Sequence, residues 1–294
     1  MPLIKYKDVN FHRKSLNIIT VANQICDEYM AQGYVLTLRQ LYYQFVARGL
    51  LPNTMKDYKN LGNVINDGRL AGLIDWDAIE DRTRNLSALR TWESAKDILT
   101  EDSQIFKYDF WKDQDYRVEV WVEKEALVGV IERVAYKFRC AYFACRGYSS
   151  QSEQWRAGQR FKEYEAEGQQ VKVLHLGDHD PSGIDMTRDN RDRLDLFTDY
   201  NNVEVIRLAL NEDQVRQYNP SPNPAKLTDT RAADYISKFG EQSWELDALD
   251  PRVIDALISS NIERYIDWDK WNEVKEKETE TKEKLARMAK RFKD

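Results

Sequence analysis

The sequence predicts an α/β protein in which a parallel sheet follows a mainly helical N-terminal region. Three observations predict this class. Apolar strand-like runs alternate with helical runs from residue 117 onward, the first 100 residues carry mainly helical periodicity, and acidic residues follow two of the strand-like runs. Strands separated by helices of this length form βαβ units, and such units require parallel strands.

The N-terminal region predicts three helices, over residues 10–29, 37–46 and 57–71. Thr37 is a suitable N-cap for the second helix. A short strand or wing is expected at 72–76. Three helices with a short β element are typical of a winged helix-turn-helix, although a plain helical bundle fits the same pattern.

The remainder of the chain divides into three parts. Residues 101–116 are expected to be a linker after an N-terminal domain of residues 1–100. The main domain is expected over 117–270 and ends in a less regular extension, and residues 271–294 form a charged helical tail. That tail is interpreted as either a solvated helix or a helix that docks on a partner protein. The predicted strands are 117–123, 141–145, 171–177 and 203–210, and the predicted helices are 124–138, 152–167 and 183–197.

Composition limits the classes of function. A chain of 294 residues with a formal charge of −6 is long enough for two domains, and its acidity argues against simple electrostatic coating of nucleic acid. Binding to DNA would instead need a local DNA-binding patch that is aided by metal ions. No apolar run is long enough to span a membrane, and the first residues lack the apolar core of a signal peptide. Three cysteines without metal-ligand spacing indicate a reduced, cytoplasmic setting.

Three carboxylates are the main candidates for chemistry. Glu123 follows the first strand of the predicted sheet, and Asp178 and Asp180 follow the third. The carboxyl ends of parallel strands are where ligands bind, and clustered carboxylates there would repel one another unless they shared a cation. Mg²⁺ suits such a site, and Mn²⁺ is an alternative. A single carboxylate at a strand end, by contrast, often caps the next helix or pairs with a neighbouring cation.

The same segments carry a family resemblance. Residues 122–126 (VEKEA), 145–148 (CRGY) and 177–185 (GDHDPSGID) resemble the Toprim domain of the topoisomerase VI A subunit and of the related meiotic double-strand-break protein. The resemblance implies a Toprim domain with a Rossmann-like parallel sheet. It also implies that Glu123, Asp178 and Asp180 hold Mg²⁺.

A second match lies upstream, at residues 38–43 (LRQLYY). This segment resembles the part of the family's winged-helix domain that carries the catalytic tyrosine, which here is Tyr43. The resemblance implies that Tyr43 attacks a DNA phosphodiester and forms a 5′-phosphotyrosyl link. Arg39 lies one helical turn earlier and is expected to activate Tyr43 or to hold the phosphate. A Tyr-Tyr pair in an amphipathic helix is also consistent with simple core packing.

Partners follow from the resemblance as well. In related A subunits the tyrosine of one protomer meets the metal of the other, so DNA and a second copy of this chain are expected partners. The sequence contains no Gly-rich phosphate loop, so the chain looks like a short stand-alone A-like protein, and an ATPase partner acting in trans is a further expectation.

Two other functions fit the same residues. One is a Toprim nuclease that uses metal-activated water, which is favoured if Tyr42 and Tyr43 are both buried away from any groove. The other is a non-catalytic DNA-binding or assembly component whose acidic residues are structural.

Several charged residues are weaker candidates, each with a structural explanation that serves as well. Glu245 or Asp247 is a possible additional contact to the metal, although capping and packing explain both. Glu125 fits a first-turn helix carboxylate. The possible phosphate contacts are Arg69, Arg82, Arg84 and Arg146.

Overall fold

Two of the three N-terminal helices begin at a threonine whose side chain caps the helix, Thr37 and Thr54. A computed structural model describes residues 3–80, 89–199 and 203–292 of the chain. Thr37 accepts a hydrogen bond from the Gln40 amide and its own amide is capped by the Gln40 side chain, so the predicted N-cap is confirmed as a full capping box. The elements of this N-terminal unit are α1 (Arg13–Met30), β1 (Leu36–Thr37), α2 (Leu38–Ala47), α3 (Met55–Leu70) and β2 (Ile79–Glu80).

The short β element of this unit lies later in the chain than predicted. Gly72, two residues after the end of α3, has a left-handed φ of +71° and turns the chain away from the helix. Residues 76–78 then form a single 3₁₀ turn. The strand falls at 79–80 and pairs in parallel with β1, through Leu36 opposite Ile79. The expectation of a strand at 72–76 was therefore wrong, and the winged-helix assignment remains a prediction.

A four-stranded parallel sheet forms the centre of the α/β unit. Its strands lie in the order β4-β3-β5-β6, which confirms the predicted α/β class and is compatible with a Rossmann-like core. The strands are β3 (Tyr116–Val122), β4 (Ala141–Ala144), β5 (Gln170–Leu176) and β6 (Val203–Ala209), and the helices are α4 (Ala95–Ile105), α5 (Val128–Lys137), α6 (Gln151–Ala166) and α7 (Pro181–Phe197).

Both faces of this sheet are buried, as expected for a parallel sheet. Val120 and Leu174 contribute to one apolar cluster, whereas Trp121 and Val173 contribute to another on the opposite face. A third cluster joins the helices of the N-terminal unit and is centred on fully buried residues such as Ile25 and Leu41. The two central strands, β3 and β5, therefore have no solvent-facing side near their centre, so polar side chains reach solvent mainly at their ends.

The C-terminal extension packs back onto both units. Its elements are α8 (Glu212–Tyr218), β7 (Asn223–Pro224), α9 (Ala232–Phe239), β8 (Gln242–Ser243), α10 (Pro251–Glu263) and α11 (Trp268–Arg291). Helix α11 packs along α4, and Trp271 lies in the larger apolar cluster. Glu278, in the middle of α11, is buried and accepts a hydrogen bond of 2.9 Å from the Tyr108 amide. The charged tail is thus a helix that packs on the rest of the chain along one side, and it is not solvated all round.

The extension also fastens the N-terminal unit. Tyr29 donates a hydrogen bond of 2.8 Å to Asp250, and Tyr34 donates one of 3.0 Å to Asp255 on α10. In the part of the chain that the structure describes, no helix is long and apolar enough to cross a membrane.

Candidate functional site

The predicted carboxylates emerge from two neighbouring strands. Glu123 follows β3 and Asp178 follows β5, and these strands pair directly, so the two side chains lie at one edge of the sheet. The Asp178 amide donates a hydrogen bond of 2.9 Å to Glu123 Oε2. The strand topology therefore brings together Glu123 and Asp178, as the sequence predicted.

Asp180 is held by the helix that follows. It is the N-cap of α7, where its Oδ1 accepts hydrogen bonds from the Gly183 amide at 2.6 Å and from the Ser182 hydroxyl at 3.0 Å. A Cβ on Gly183 would lie 2.3 Å from the Asp178 carbonyl oxygen, so only glycine fits this turn. Among the described residues, no group of three or more His, Cys, Asp or Glu side chains is arranged to hold a metal ion.

The ammonium group of Lys124 lies among the acids. Its Nζ is 2.9 Å from Asp178 Oδ2, 3.1 Å from Glu245 Oε2 and 3.1 Å from Asp247 Oδ1. Lys124 follows Glu123 directly in the chain, and it was not predicted as a site residue. We refer to Arg39, Lys124, Asp178, Glu245 and Asp247 as the bridging cluster.

The bridging cluster reaches the N-terminal unit through Arg39 on α2. The Arg39 guanidinium forms an ion pair with Glu245, and its Nε lies 2.8 Å from Asp247 Oδ2. Asp247 has no exposed side-chain surface, so it is a buried carboxylate shared by Arg39 and Lys124. Glu245 and Asp247, both weak candidates from the sequence, therefore join the two units.

The segment that carries Glu245 and Asp247 is itself tied to the strand end. The Leu246 amide donates a hydrogen bond of 2.8 Å to Asp178 Oδ1. Trp244 and His179 exchange two backbone hydrogen bonds, of 2.8 and 2.9 Å. Asp178 is thus held from two sides, by the Leu246 amide and by Lys124.

Arg207 on β6 holds the loop after β5 through hydrogen bonds to its backbone. It was not predicted from the sequence. Its guanidinium donates hydrogen bonds to the carbonyl oxygens of Asp178 at 2.6 Å, Gly183 at 2.8 Å and Leu210 at 3.1 Å. Burial lowers the pKa of Arg207 to about 10, and nearby acids, Glu123 first, oppose that shift. An arginine at this position of a strand looks the same in the sequence whether it faces solvent or the interior, so no local signal identifies Arg207.

Excess negative charge characterises the strand-end site. Burial, and then the neighbouring Asp178, raise the pKa of Glu123 to about 7. Burial also raises the pKa of Asp178, although Lys124 opposes this shift. Carboxylate oxygens are the hard donors that Mg²⁺ prefers, so the residue types of Glu123, Asp178 and Asp180 suit the predicted metal. Both oxygens of Asp178 are engaged here, by the Leu246 amide and by Lys124.

Tyr43 lies beside the bridging cluster and is buried, with 4% of its surface exposed. The Arg39 guanidinium is 5.7 Å from the centre of the Tyr43 ring. Burial, and then Asp247, raise the pKa of Tyr43, and Arg39 offsets this only in part. The net shift in the pKa of Tyr43 is therefore upward, and activation of Tyr43 by Arg39 remains a prediction.

Tyr42 has a structural role. It is also buried, and its hydroxyl accepts a hydrogen bond of 2.7 Å from the Thr54 amide at the start of α3 and donates to the Pro52 carbonyl. Both tyrosines are therefore buried, but only Tyr43 faces the charged cluster.

The weaker candidates have ordinary partners where they are described. Arg146 pairs with Glu125, and Arg69 donates to the backbone carbonyl oxygens of Trp76 and Ile79. Arg82 and Arg84 lie outside the described residues. The three cysteines are free and buried.

Comparisons with known proteins add no family assignment. Neither the protein-family models nor the curated proteins give a match to this chain.

A buried histidine near the end of β5 is expected to contribute to a loss of stability in acid. His175 on β5 is fully buried, and its Nδ1 lies 2.8 Å from the Thr187 hydroxyl. Burial lowers the pKa of His175 to about 3. Because the unfolded chain takes up this proton near pH 6.5, we expect His175 to contribute a loss of stability of about 1.4 kcal/mol per pH unit from 6.5 down towards 3. The raised pKa of Glu123 acts in the opposite direction, since a folded state that holds its proton gains stability as the pH falls from about 7 towards 4.5. Urea unfolding of the wild type and of His175→Gln at pH 7 and pH 5 therefore measures the His175 contribution as the difference between the two pH slopes. An unchanged slope in that variant would contradict the assignment.

Proposed function

We propose that this protein cleaves DNA by a cation-dependent tyrosine transesterification, as its resemblance to the topoisomerase VI A subunit implies. One observation supports this most: the helix that carries Tyr43 is docked through Arg39 onto the same cluster that contains Asp178. A nucleophile, a phosphate-binding guanidinium and paired carboxylates are the groups that phosphodiester transfer requires.

The proposed step is a simple exchange of ester bonds. The Tyr43 hydroxyl oxygen attacks phosphorus, the bond between phosphorus and the 3′ oxygen breaks, and the 5′ phosphate remains on Tyr43. The phenolic proton is lost to water, and the departing 3′ oxygen takes up a proton to become a hydroxyl. No oxidant or reductant is involved. When bound by Glu123, Asp178 and Asp180, Mg²⁺ would neutralise negative charge on the phosphate.

DNA binding has to change the bridging cluster before this step. Arg39 is engaged by Glu245 and Asp247, and Tyr43 is buried with a raised pKa. Before Tyr43 can attack, a phosphate has to replace Glu245 and Asp247 as the partner of Arg39, and the buried Tyr43 hydroxyl has to become accessible.

The test is to trap the covalent product. Incubation with DNA and Mg²⁺, then denaturation without protease, is expected to leave protein on 5′ ends. Tyr43→Phe is expected to abolish the adduct because the nucleophilic oxygen is gone, and Asp178→Ala is expected to abolish it as well. Tyr42→Phe is the matched control. It loses hydrogen bonds to Pro52 and Thr54 worth about 1–3 kcal/mol but keeps the nucleophile, so the adduct should persist.

Burial of both tyrosines favours a second candidate, a Toprim nuclease that uses metal-activated water. This candidate predicts DNA cleavage without any adduct. Cleavage that survives Tyr43→Phe but is lost in Asp178→Ala would decide for it. If the wild-type protein bound DNA but never cut it, the non-catalytic alternative would stand. A homodimer and an ATPase partner remain predictions from the resemblance.

A further inference from the structure

We propose that Lys124 is a built-in competitor of the divalent cation: its ammonium group holds Asp178 in this structure and has to leave when Asp178 binds a metal ion. The same exchange loosens the segment 244–248, and with it the contact between α2 and the α/β unit. This inference rests on the proposed function, because it concerns how the carboxylates of that function are controlled.

Both side-chain oxygens of Asp178 have partners, but the two partners differ in charge. Oδ1 accepts a hydrogen bond of 2.8 Å from the Leu246 amide, and Oδ2 lies 2.9 Å from Lys124 Nζ. A neutral amide tolerates a cation nearby, whereas an ammonium group within a few ångström of a divalent cation is strongly repelled. Lys124 is therefore the partner that has to leave Asp178.

The lysine side chain allows this displacement. Its ammonium group is carried on a flexible four-carbon stem. In Lys124, 23% of the side chain is exposed, whereas 9% of the Asp178 side chain is exposed. The ammonium group can therefore move into solvent while β3 and the carboxylate stay in place.

Displacement of Lys124 reaches the segment 244–248. The ammonium group also lies 3.1 Å from Glu245 Oε2 and 3.1 Å from Asp247 Oδ1, so both acids lose a cation when Lys124 moves. Asp247 has no exposed side-chain surface, and a buried carboxylate that loses a cationic partner is strongly destabilising. Binding of the cation is thus expected to loosen residues 244–248.

The segment 244–248 in turn holds the N-terminal unit. Arg39 on α2 pairs with both acids of the segment, and its Nε lies 2.8 Å from Asp247 Oδ2. The hydrogen bonds of this unit to Asp250 and Asp255 lie outside the bridging cluster, so we expect the unit to stay attached there. Cation binding and the docking of Arg39 therefore oppose each other, and by linkage a firmly docked α2 lowers the affinity for the cation.

The competition gives the proposed reaction an order. While Lys124 holds Asp178, Arg39 keeps its two acidic partners, and Tyr43 on the same helix stays buried. After the exchange, Arg39 is available to a DNA phosphate. Binding of the cation therefore comes before productive binding of DNA.

Metal affinity tests the competition without relying on activity. Binding of Mn²⁺ to the purified protein, without DNA, is measured by electron paramagnetic resonance. Lys124→Met is expected to bind Mn²⁺ about tenfold more tightly than the wild type, because the competing charge is gone. Lys124→Arg keeps the charge and should show no such gain. Lys172→Met is the matched control, since Lys172 on β5 pairs with Glu204, near the start of that strand.

Amide hydrogen exchange tests the release of the segment 244–248. Addition of Mn²⁺ to the wild-type protein is expected to speed exchange in these residues several-fold, because their acidic side chains lose Lys124. Residues 170–176 of β5 should be unchanged and serve as the internal reference. The direction is diagnostic, since a metal ion that only joined a ready-made site would slow exchange around it. Because this measurement uses the wild type, it decides the question even if Lys124→Met does not fold.

The outcomes separate this inference from the proposed function. If Mn²⁺ binds in a way that Asp178→Asn abolishes, but Lys124→Met binds it no more tightly or residues 244–248 exchange no faster, the competition is wrong and the proposed chemistry is unaffected. If tighter binding and faster exchange are both observed but no covalent adduct forms on DNA, the competition stands and the proposed chemistry fails. If Asp178→Asn leaves Mn²⁺ binding unchanged, both fail.

Discussion

Replacing Asp247 with alanine is expected to lower the free energy of unfolding by about 3 kcal/mol, since breaking a buried ion pair leaves its partner charges without compensation. Asp247 has no exposed side-chain surface, and it lies 2.8 Å from Arg39 and 3.1 Å from Lys124. Without it, Arg39 keeps only the partly exposed Glu245, and Lys124 keeps Asp178 and Glu245. Urea unfolding followed by circular dichroism measures the change.

The matched control is Glu245→Ala, in the same segment. Glu245 pairs with the same two cations, but 27% of its side chain is exposed. Solvent screens such a pair, so we expect a loss of no more than about 1 kcal/mol. If the two variants lost equal stability, burial of Asp247 would not be the source of the effect.

Replacing Arg207 with methionine is expected to have a comparable effect, a loss of about 3–5 kcal/mol, because several buried carbonyl groups lose their donor. Arg207 donates to Asp178, Gly183 and Leu210, which are the residues around the turn into α7 and the end of β6. Faster amide hydrogen exchange at residues 177–183 should accompany the loss. Arg207→Lys is expected to restore little, because one ammonium group cannot reach carbonyl oxygens on both sides as a planar guanidinium does.

Arg216→Met supplies the comparison for Arg207. Arg216 lies on the neighbouring helix α8, pairs with Glu212 one turn away and is 70% exposed. Its replacement should change the free energy of unfolding by less than about 0.5 kcal/mol. Equal stability of the Arg207→Met and Arg216→Met variants would contradict the supporting role of Arg207.

Local signals in the sequence were sufficient for most of the fold. Alternating apolar runs placed all four strands of the sheet within one or two residues, and Thr37 marked the start of α2 because a capping box is completed within four residues. The strand at 79–80 was misplaced because it is only two residues long and is defined by pairing with β1, more than 40 residues earlier. Such a strand has no periodicity of its own.

The site was predictable only in part for a related reason. Glu123 and Asp178 were brought together as expected, since neighbouring parallel strands deliver their ends to one edge. Lys124 and Arg207 were not identified, and Asp247 was only a weak candidate, because these residues are defined by partners far away in the chain: Lys124 contacts a residue 123 positions later. For Asp180 the motif alone does not decide the role, because the same carboxylate caps α7 whether or not it also binds a cation.

The position of α11 has a consequence for how the chain is made. Trp271 packs edge-on against Phe110 and Trp111, and Glu278 holds a backbone amide 170 residues earlier. The larger apolar cluster therefore cannot be completed during synthesis until α11 has left the ribosome. Nascent chains released before that point would expose tryptophan and phenylalanine surface, and these are the chains that chaperones and proteases recognise.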